Sequence, residues 1–270
     1  MERFFFLSSF LHKRAEEIED NLEGLEEGRS TNIRRINPGK PRPRIKPLED
    51  VEIEESETIS PDLHQTSIGY TPHHIVTAYK LFRVAHRYPG KLFPLFVGAN
   101  TPIPMGIWVD ASAGEQTPGG KVKSKLGPLA YRPGFHAGDV PVATHIGIRG
   151  EAKVPTHRNS NYVWAEVSLS DDLDWQSEAA SRTRYNKKNQ PIPNSADIND
   201  QVPFGGHYRY KTNPNMTGDW MISGNMRINR VLTDEEVQQI NGAKGVSDLP
   251  RRTPLDLAEF GFSPNGKPNR

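Results

Sequence analysis

Apolar residues recur with two different periods along this chain. Leu11, Ala15, Ile18, Leu22 and Leu25 are spaced 4, 3, 4 and 3 apart. That spacing places them on one face of a helix. Residues 1–27 are therefore expected to hold an N-terminal amphipathic helix, too short for a sustained coiled coil. From residue 78 onward the period changes to two. "AYKLFRVA" (78–85) alternates and ends at a Tyr-Pro-Gly turn signal. "KLFPLFVGA" (91–99) follows closely, which suggests a hairpin, and "MGIWVDA" (105–111) reads as a third strand. In "NYVWAEVSL" (161–169), Val163, Ala165, Val167 and Leu169 fall on one face, and Tyr162, Trp164, Glu166 and Ser168 on the other. "GGHYRYKT" (205–212) and "DWMISGNMRINRVL" (219–232) complete the strand signals, the latter interrupted at Gly224 by a turn or bulge.

Helix signals in the body are few. "DVPVATHIG" (139–147) has a capping Asp139, Pro141 in a tolerated position and a terminal Gly147, so a short helix is expected there. "DLDWQSEAASRTRY" (172–185) is a second. "TDEEVQQING" (233–242) is a third, with a capping box from Thr233 and Glu236. The fold class expected is α+β: mostly antiparallel strands in a split or two-layer sheet, a few short helices, and extended termini. Residues 62–242 form the body in this reading, and 243–270 a C-terminal tail.

Composition sharpens the boundaries. The 270 residues include 23 glycines and 23 prolines against 34% apolar residues, so much of the chain is loop or linker. Residues 28–61 read as linker. Arg29, Arg34, Arg35, Lys40, Arg42, Arg44 and Lys46 come without an acid and among prolines, and "EDVEIEESE" then places six acids in nine residues. The basic part, 29–46, is a candidate arm for nucleic acid or an acidic partner. The net charge of +1 gives no global field favouring nucleic acid. There are no cysteines, which excludes disulfides and thiolate zinc sites. The apolar run in "MERFFFLSSFLHKR" is short and lacks a cleavage-site pattern, and no run approaches the roughly 20 apolar residues of a membrane span. A soluble protein with no membrane partner, in the cytoplasm of a bacterial host, is expected.

The chemistry-bearing motifs are sparse. The chain lacks a Walker loop, a Gly-x-Ser-x-Gly elbow and an HExxH pair. His136, His145 and Asp139 lack a further ligand at a telling spacing, so no metal is expected. Lys121, Lys123 and Lys125 make a basic loop whose simplest role is solvation. What remains is a series of polar residues set at strand ends: Arg83, the turn "YRPGFHAGD" (131–139), and Asp219.

The order of these segments resembles that of ADP-ribosyltransferases of the poly(ADP-ribose) polymerase type. "YKLFRV" resembles the first core strand, which ends in a residue that holds the nucleotide. "PGFHAGDVPVATHIG" is similar to the second motif, a Gly–aromatic turn followed by an acid and an Ala-rich segment. "VWAEVSL" resembles the central strand, and "GDWMISGNMRINRVL" the late strands in which an acid precedes an aromatic and an apolar run. The match spans about residues 80–232. It is shared with domains of polyvalent proteins from phages and mobile elements. Val84 stands where the family has glycine, His136 (or, with the match slipped by one, Phe135) where it has tyrosine, and Asp219 where it has glutamate.

The resemblance implies NAD as substrate and a macromolecular target of host or phage. It implies Asp219 as the acid that grips the ribose while the ring becomes oxocarbenium-like. His136 is its catalytic partner, and Arg83, Tyr131, Arg132 and Phe135 hold the dinucleotide. The alternative is a non-enzymatic, virion-associated structural or adaptor protein that uses the N-terminal helix and the basic linker for assembly.

Overall fold

The computed structural model describes residues 71–124, 127–149, 154–182, 185–190, 201–211 and 217–269. The N-terminal helix and the linker, including its basic arm at 29–46, lie outside the described residues.

The period-two segments form strands. β1 (Ile75–Arg83) and β8 (Tyr162–Ser170) pair antiparallel over nine residues, from Ile75↔Ser170 to Arg83↔Tyr162. Together with β2 (Trp108–Asp110), β5 (Phe135–Gly138), β9 (Leu173–Asp174), β10 (Gly206–Tyr210), β11 (Trp220–Ser223) and β12 (Asn225–Val231) they build one eight-stranded sheet. Its order is β2-β12-β8-β1-β5-β11-β10-β9, and the β9–β10 pair alone is parallel. Two small antiparallel pairs stand apart from it: β3 (Lys121–Val122) with β4 (Leu129–Ala130), and β6 (Ile148–Arg149) with β7 (Pro155–His157). Among the described residues there are also two short helices, α1 (Gln176–Ser181) and α2 (Asp234–Ala243), and a 3-10 turn at Leu257–Phe260. The α+β class with mostly antiparallel strands holds.

The sheet is curled, and its strand order proves it. β11 and β12 are separated in sequence by Gly224 alone, yet β5, β1 and β8 stand between them in the sheet. In a flat sheet four spacings would part them by about 19 Å, whereas one linking residue bridges about 7 Å. The sheet must therefore coil until the segment 220–231 crosses from its β5 side to its β8 side. The crossing is held by Gly224 N–H donating to Gly206 O and by Ala111 N–H donating to Gly224 O. A Cβ at Gly224 would stand 2.6 Å from Val202 O and 2.5 Å from the Pro203 carbonyl carbon, both backbone atoms. Gly224→Ala is expected to cost about 1–3 kcal/mol by forcing this crossing apart. Urea unfolding measures it, and an unchanged midpoint would mean that the crossing has slack.

Inside the curl lies the main core, built from Ala78, Phe82, Val163, Ala165, Val167, Leu169, Ala137, Met221, Met226 and Ile228. The opposite face of β1 and β8 is also covered. Leu81 and Trp164 pack there with Leu232, Ala143 and Val237 of α2. β8 is thus buried on both faces along most of its length, which explains its richness in apolar and small residues; Glu166 in its middle stays partly exposed and meets Arg230. α2 begins with the expected capping box: Thr233 Oγ1 accepts from Glu236 N–H at 3.3 Å, and Glu236 Oε2 accepts from Thr233 N–H at 2.9 Å.

Three expectations are corrected. Residues 91–99 form no strand. Two isolated bridges, Arg83↔Phe93 and Leu92↔Ile103, are all the pairing they make, and Pro94 removes the donor that would extend it. Residues 139–147 form bends and turns instead of a helix. Tertiary partners take their polar groups: the Asp139 carboxylate accepts from Asp219 N–H, and Ala143 N–H goes to Asp248. The stretch after 243 is no free tail. Leu257, Phe260 and Phe262 are buried in the main core, and Val231 N–H donates to Gly266 O.

Candidate functional site

The pairing of β5 determines where the sequence-selected residues go. β5 sits between β1 and β11, with Gly138 opposite both Tyr79 and Trp220, and His136 opposite Ile222. The strands carrying "YKLFR", "GFHAG" and "DWMIS" are therefore direct neighbours. Alternation then sorts their side chains. Phe135 and Ala137 face the main core, and His136 faces the other way. On β11, Met221 faces the core, while Trp220 and Ile222 lie on the His136 side.

His136 is held at both ring nitrogens. Nε2–H donates to Arg132 O at 2.9 Å, because a carbonyl only accepts, and Nδ1 then accepts from the Tyr210 hydroxyl at 3.1 Å. The Tyr210 ring stands edge-on to the imidazole at 6.1 Å, and the Arg132 guanidinium lies 5.3 Å from the centroid of the same tyrosine. Burial pushes the His136 pKa down to about 4. The Arg132 carbonyl hydrogen bond opposes that shift, and the Lys80 and Arg132 cations reinforce it. The ring is neutral at physiological pH, and both of its nitrogens are engaged within the protein.

This predicts a pH dependence. Above about pH 6.5 the imidazole is neutral whether the chain is folded or not. As pH falls from 6.5 towards 4 the unfolded chain takes up a proton that the native protein does not, so stability is lost. The expected slope is at most about 1.4 kcal/mol per pH unit. Comparing urea unfolding of wild type and His136→Gln across this window isolates the effect. Parallel curves would show that His136 titrates alike in both states.

Asp219 sits on the opposite face. It precedes Trp220 and so shares the face of Met221, where it meets Lys211 Nζ at 3.6 Å and Arg209 Nη1 at 3.9 Å across to β10. Its own backbone is tied to Asp139 twice: Asp219 N–H donates to Asp139 Oδ1, and Asp139 N–H to Asp219 O. Arg83 shares the face of His136 but stands at the far end of β1. By register Asp219 is level with Ala78, so Arg83 is five residues away along the strand, about 16 Å. Its guanidinium caps Ala99 O at 2.8 Å and lies over the Phe93 ring, 4.8 Å from the centroid. Phe135 is 8% exposed and part of the main core, so it is a packing residue and not a stacking surface. Tyr131 and Arg132 are partly exposed beside His136.

The sheet thus brings Arg132, His136 and Tyr210 together with Tyr131 close by in sequence. It does not bring Asp219 to them, and the Arg83 guanidinium is taken up by Ala99 O and the Phe93 ring; an imidazole and a carboxylate on opposite faces cannot act on one bond.

Other groupings went unnoticed at the sequence level. Lys80 Nζ donates to His136 O at 2.8 Å. Its signal was legible: in "AYKLF" it is in phase with the core residues Ala78 and Phe82. A second polar cluster surrounds Asp248, whose carboxylate accepts from Arg158 Nη2 at 2.5 and 2.6 Å, Trp164 Nε1 at 2.9 Å and Ala143 N–H at 2.9 Å. It lines a cavity of about 360 Å³ beside α2, which none of Arg83, His136 or Asp219 borders. Sequence reasoning missed it because Arg158 and Asp248 are 90 residues apart and lie in loops.

Among the described residues no cluster of three or more His, Asp or Glu side chains is arranged to hold a metal, and no helix is long and apolar enough to cross a membrane. No family model, curated protein or solved structure matches this chain.

Proposed function

We propose that this chain is an ADP-ribosyltransferase-like module that binds NAD without transferring ADP-ribose, and that it works as an adaptor. The observation that carries this reading is the fate of the three motif strands. β1, β5 and β11 hydrogen-bond side by side, which supports a shared ancestry of the binding face. His136 and Asp219 leave those strands on opposite sides, which speaks against transfer. The binding face is the one carrying His136, Tyr210, Arg132 and Tyr131. Here the imidazole, neutral and hydrogen-bonded at both nitrogens, offers a fixed ring and not a proton. Orientation without a charge-stabilising acid binds a dinucleotide but does not cleave it.

Two measurements test the two halves separately. A ligand that binds only the native state raises its stability, by about 2.7 kcal/mol at a hundred times its Kd. The thermal midpoint is therefore expected to rise saturably with NAD, and a flat response to millimolar NAD would remove the binding half. Nicotinamide release from NAD is expected to stay at the level of a heat-denatured control. Turnover above that level, abolished by Asp219→Asn, would establish a transferase or hydrolase and overturn the adaptor reading.

A further inference from the structure

We propose that the cavity beside α2 binds a small neutral ring carrying a cyclic amide, an N–H next to a C=O. His136 does not border this cavity, so the site goes beyond the NAD reading and does not depend on it.

Size and walls come first. The cavity measures about 360 Å³, within the range of small-molecule pockets. One water's share of the liquid is about 30 Å³, so a single bridging water leaves most of the space over. The walls are apolar at Trp164, Val237, Val246 and Leu249. The four charged side chains on the lining are already matched. Arg158 closes on Asp248, and Arg251 Nε donates to both Asp234 oxygens at 2.7 Å. Two cations and two anions joined in pairs offer no counter-charge to an ion that gives up its hydration. The fitting occupant is therefore neutral.

Polar recognition falls to two atoms. Arg158 directs Nη1 to Ile146 O and Nη2 to Ala143 O and Asp248, which leaves its Nε–H without a partner. Asn241 donates through Nδ2 to Pro141 O at 3.1 Å. A carbonyl only accepts, so this bond fixes the amide, and Oδ1 is the atom left without a partner. The two residues are 1% and 2% exposed. A buried donor or acceptor left unpaired bears the full cost of its desolvation. One acceptor and one donor from a ligand satisfy both. The two side chains are also neighbours. They brace carbonyls only two residues apart, Pro141 and Ala143, at most about 7 Å of chain. An amide held cis in a ring presents its N–H and C=O along one edge, and the rest of the ring meets the apolar walls.

Uracil is the probe on the full chain, and 1,3-dimethyluracil, the same ring with both N–H groups methylated, is the control. Uracil is expected to raise the thermal midpoint saturably. It is expected to bind about tenfold tighter than the methylated ring, which leaves Asn241 Oδ1 unpaired. Equal binding of the two rings, or no response to about 10 mM uracil, overturns the assignment. Asn241→Leu keeps the volume and removes the acceptor, so it is expected to bring the two affinities within about twofold. A difference that persists in this variant means that the methyl groups merely clash, and overturns recognition of the N–H. Location is read on the wild type. Irradiated 5-bromouracil, mapped by mass spectrometry, is expected to mark Trp164 or residues 246–249. Label confined to other segments overturns the site whether or not the Asn241 variant folds. A flat response to NAD beside a saturable response to uracil removes the NAD reading and leaves this one standing.

Discussion

Asp248→Ala is expected to destabilise the folded unit by about 3–5 kcal/mol, the range for removing one partner of a buried ion pair. The Arg158 and Asp248 side chains are 2% and 6% exposed. Without the carboxylate, the guanidinium keeps the carbonyls of Ile146 and Ala143, but its charge has no counterion. Trp164 Nε1 and Ala143 N–H lose their acceptor in the same step. Total stabilities of about 5–15 kcal/mol make such a loss a large share of the whole. Urea unfolding provides the number, and the double variant Arg158→Met, Asp248→Leu separates the causes. If the damage comes from the stranded charge, the double variant recovers most of the loss. A cost below about 1 kcal/mol for Asp248→Ala would show that water reaches the guanidinium and replaces the carboxylate.

Trp164→Ala is expected to cost a similar amount, about 3–5 kcal/mol. The indole is 2% exposed and packs with Leu81, Ala143, Leu232 and Val237, joining the sheet to α2. Trp164→Phe splits this into parts, since it retains most of the packing while leaving Asp248 one donor short. That variant should lose about 1 kcal/mol beyond its volume change. Because Trp164 and Asp248 share a hydrogen bond, the two alanine substitutions together should cost less than their separate effects combined. Additivity would mean that the indole and the carboxylate act independently.

How far the sequence could be read depends on the range of the interaction behind each element. β1 and β8 were legible because alternation is a local signal, and so was α2, whose Thr233–Glu236 box closes over one turn. The break at Gly224 was legible as well, but its meaning was not. A glycine between two strands reads as a turn, whereas here it lets the chain pass from one side of a coiled sheet to the other against the backbone of residues 202 and 203. The segment at 139–147 misled for the opposite reason. Asp139 caps no helix, because Asp219, 80 residues away, takes its carboxylate.

The candidate site divides in the same way. That Arg83, His136 and Asp219 stand at or beside strands was legible from the local pattern, whereas that β1, β5 and β11 are neighbours is a matter of the sheet order. Which side of the sheet each faces depends on register between strands far apart in sequence, and one residue of slip reverses every side chain. Alternation by itself places Lys80 in phase with core residues.

Taken alone, the sequence determined the α+β class, the principal strands, the capped helix α2 and the residues able to carry chemistry, since each rests on contacts within a few positions. The tertiary structure decided the coiling of the sheet, the burial of the C-terminal segment, the Arg158–Asp248–Trp164 cluster, and the separation of Asp219 from His136. Those depend on pairings across tens of residues, where the free energy of one packed arrangement over another leaves no local mark on the chain.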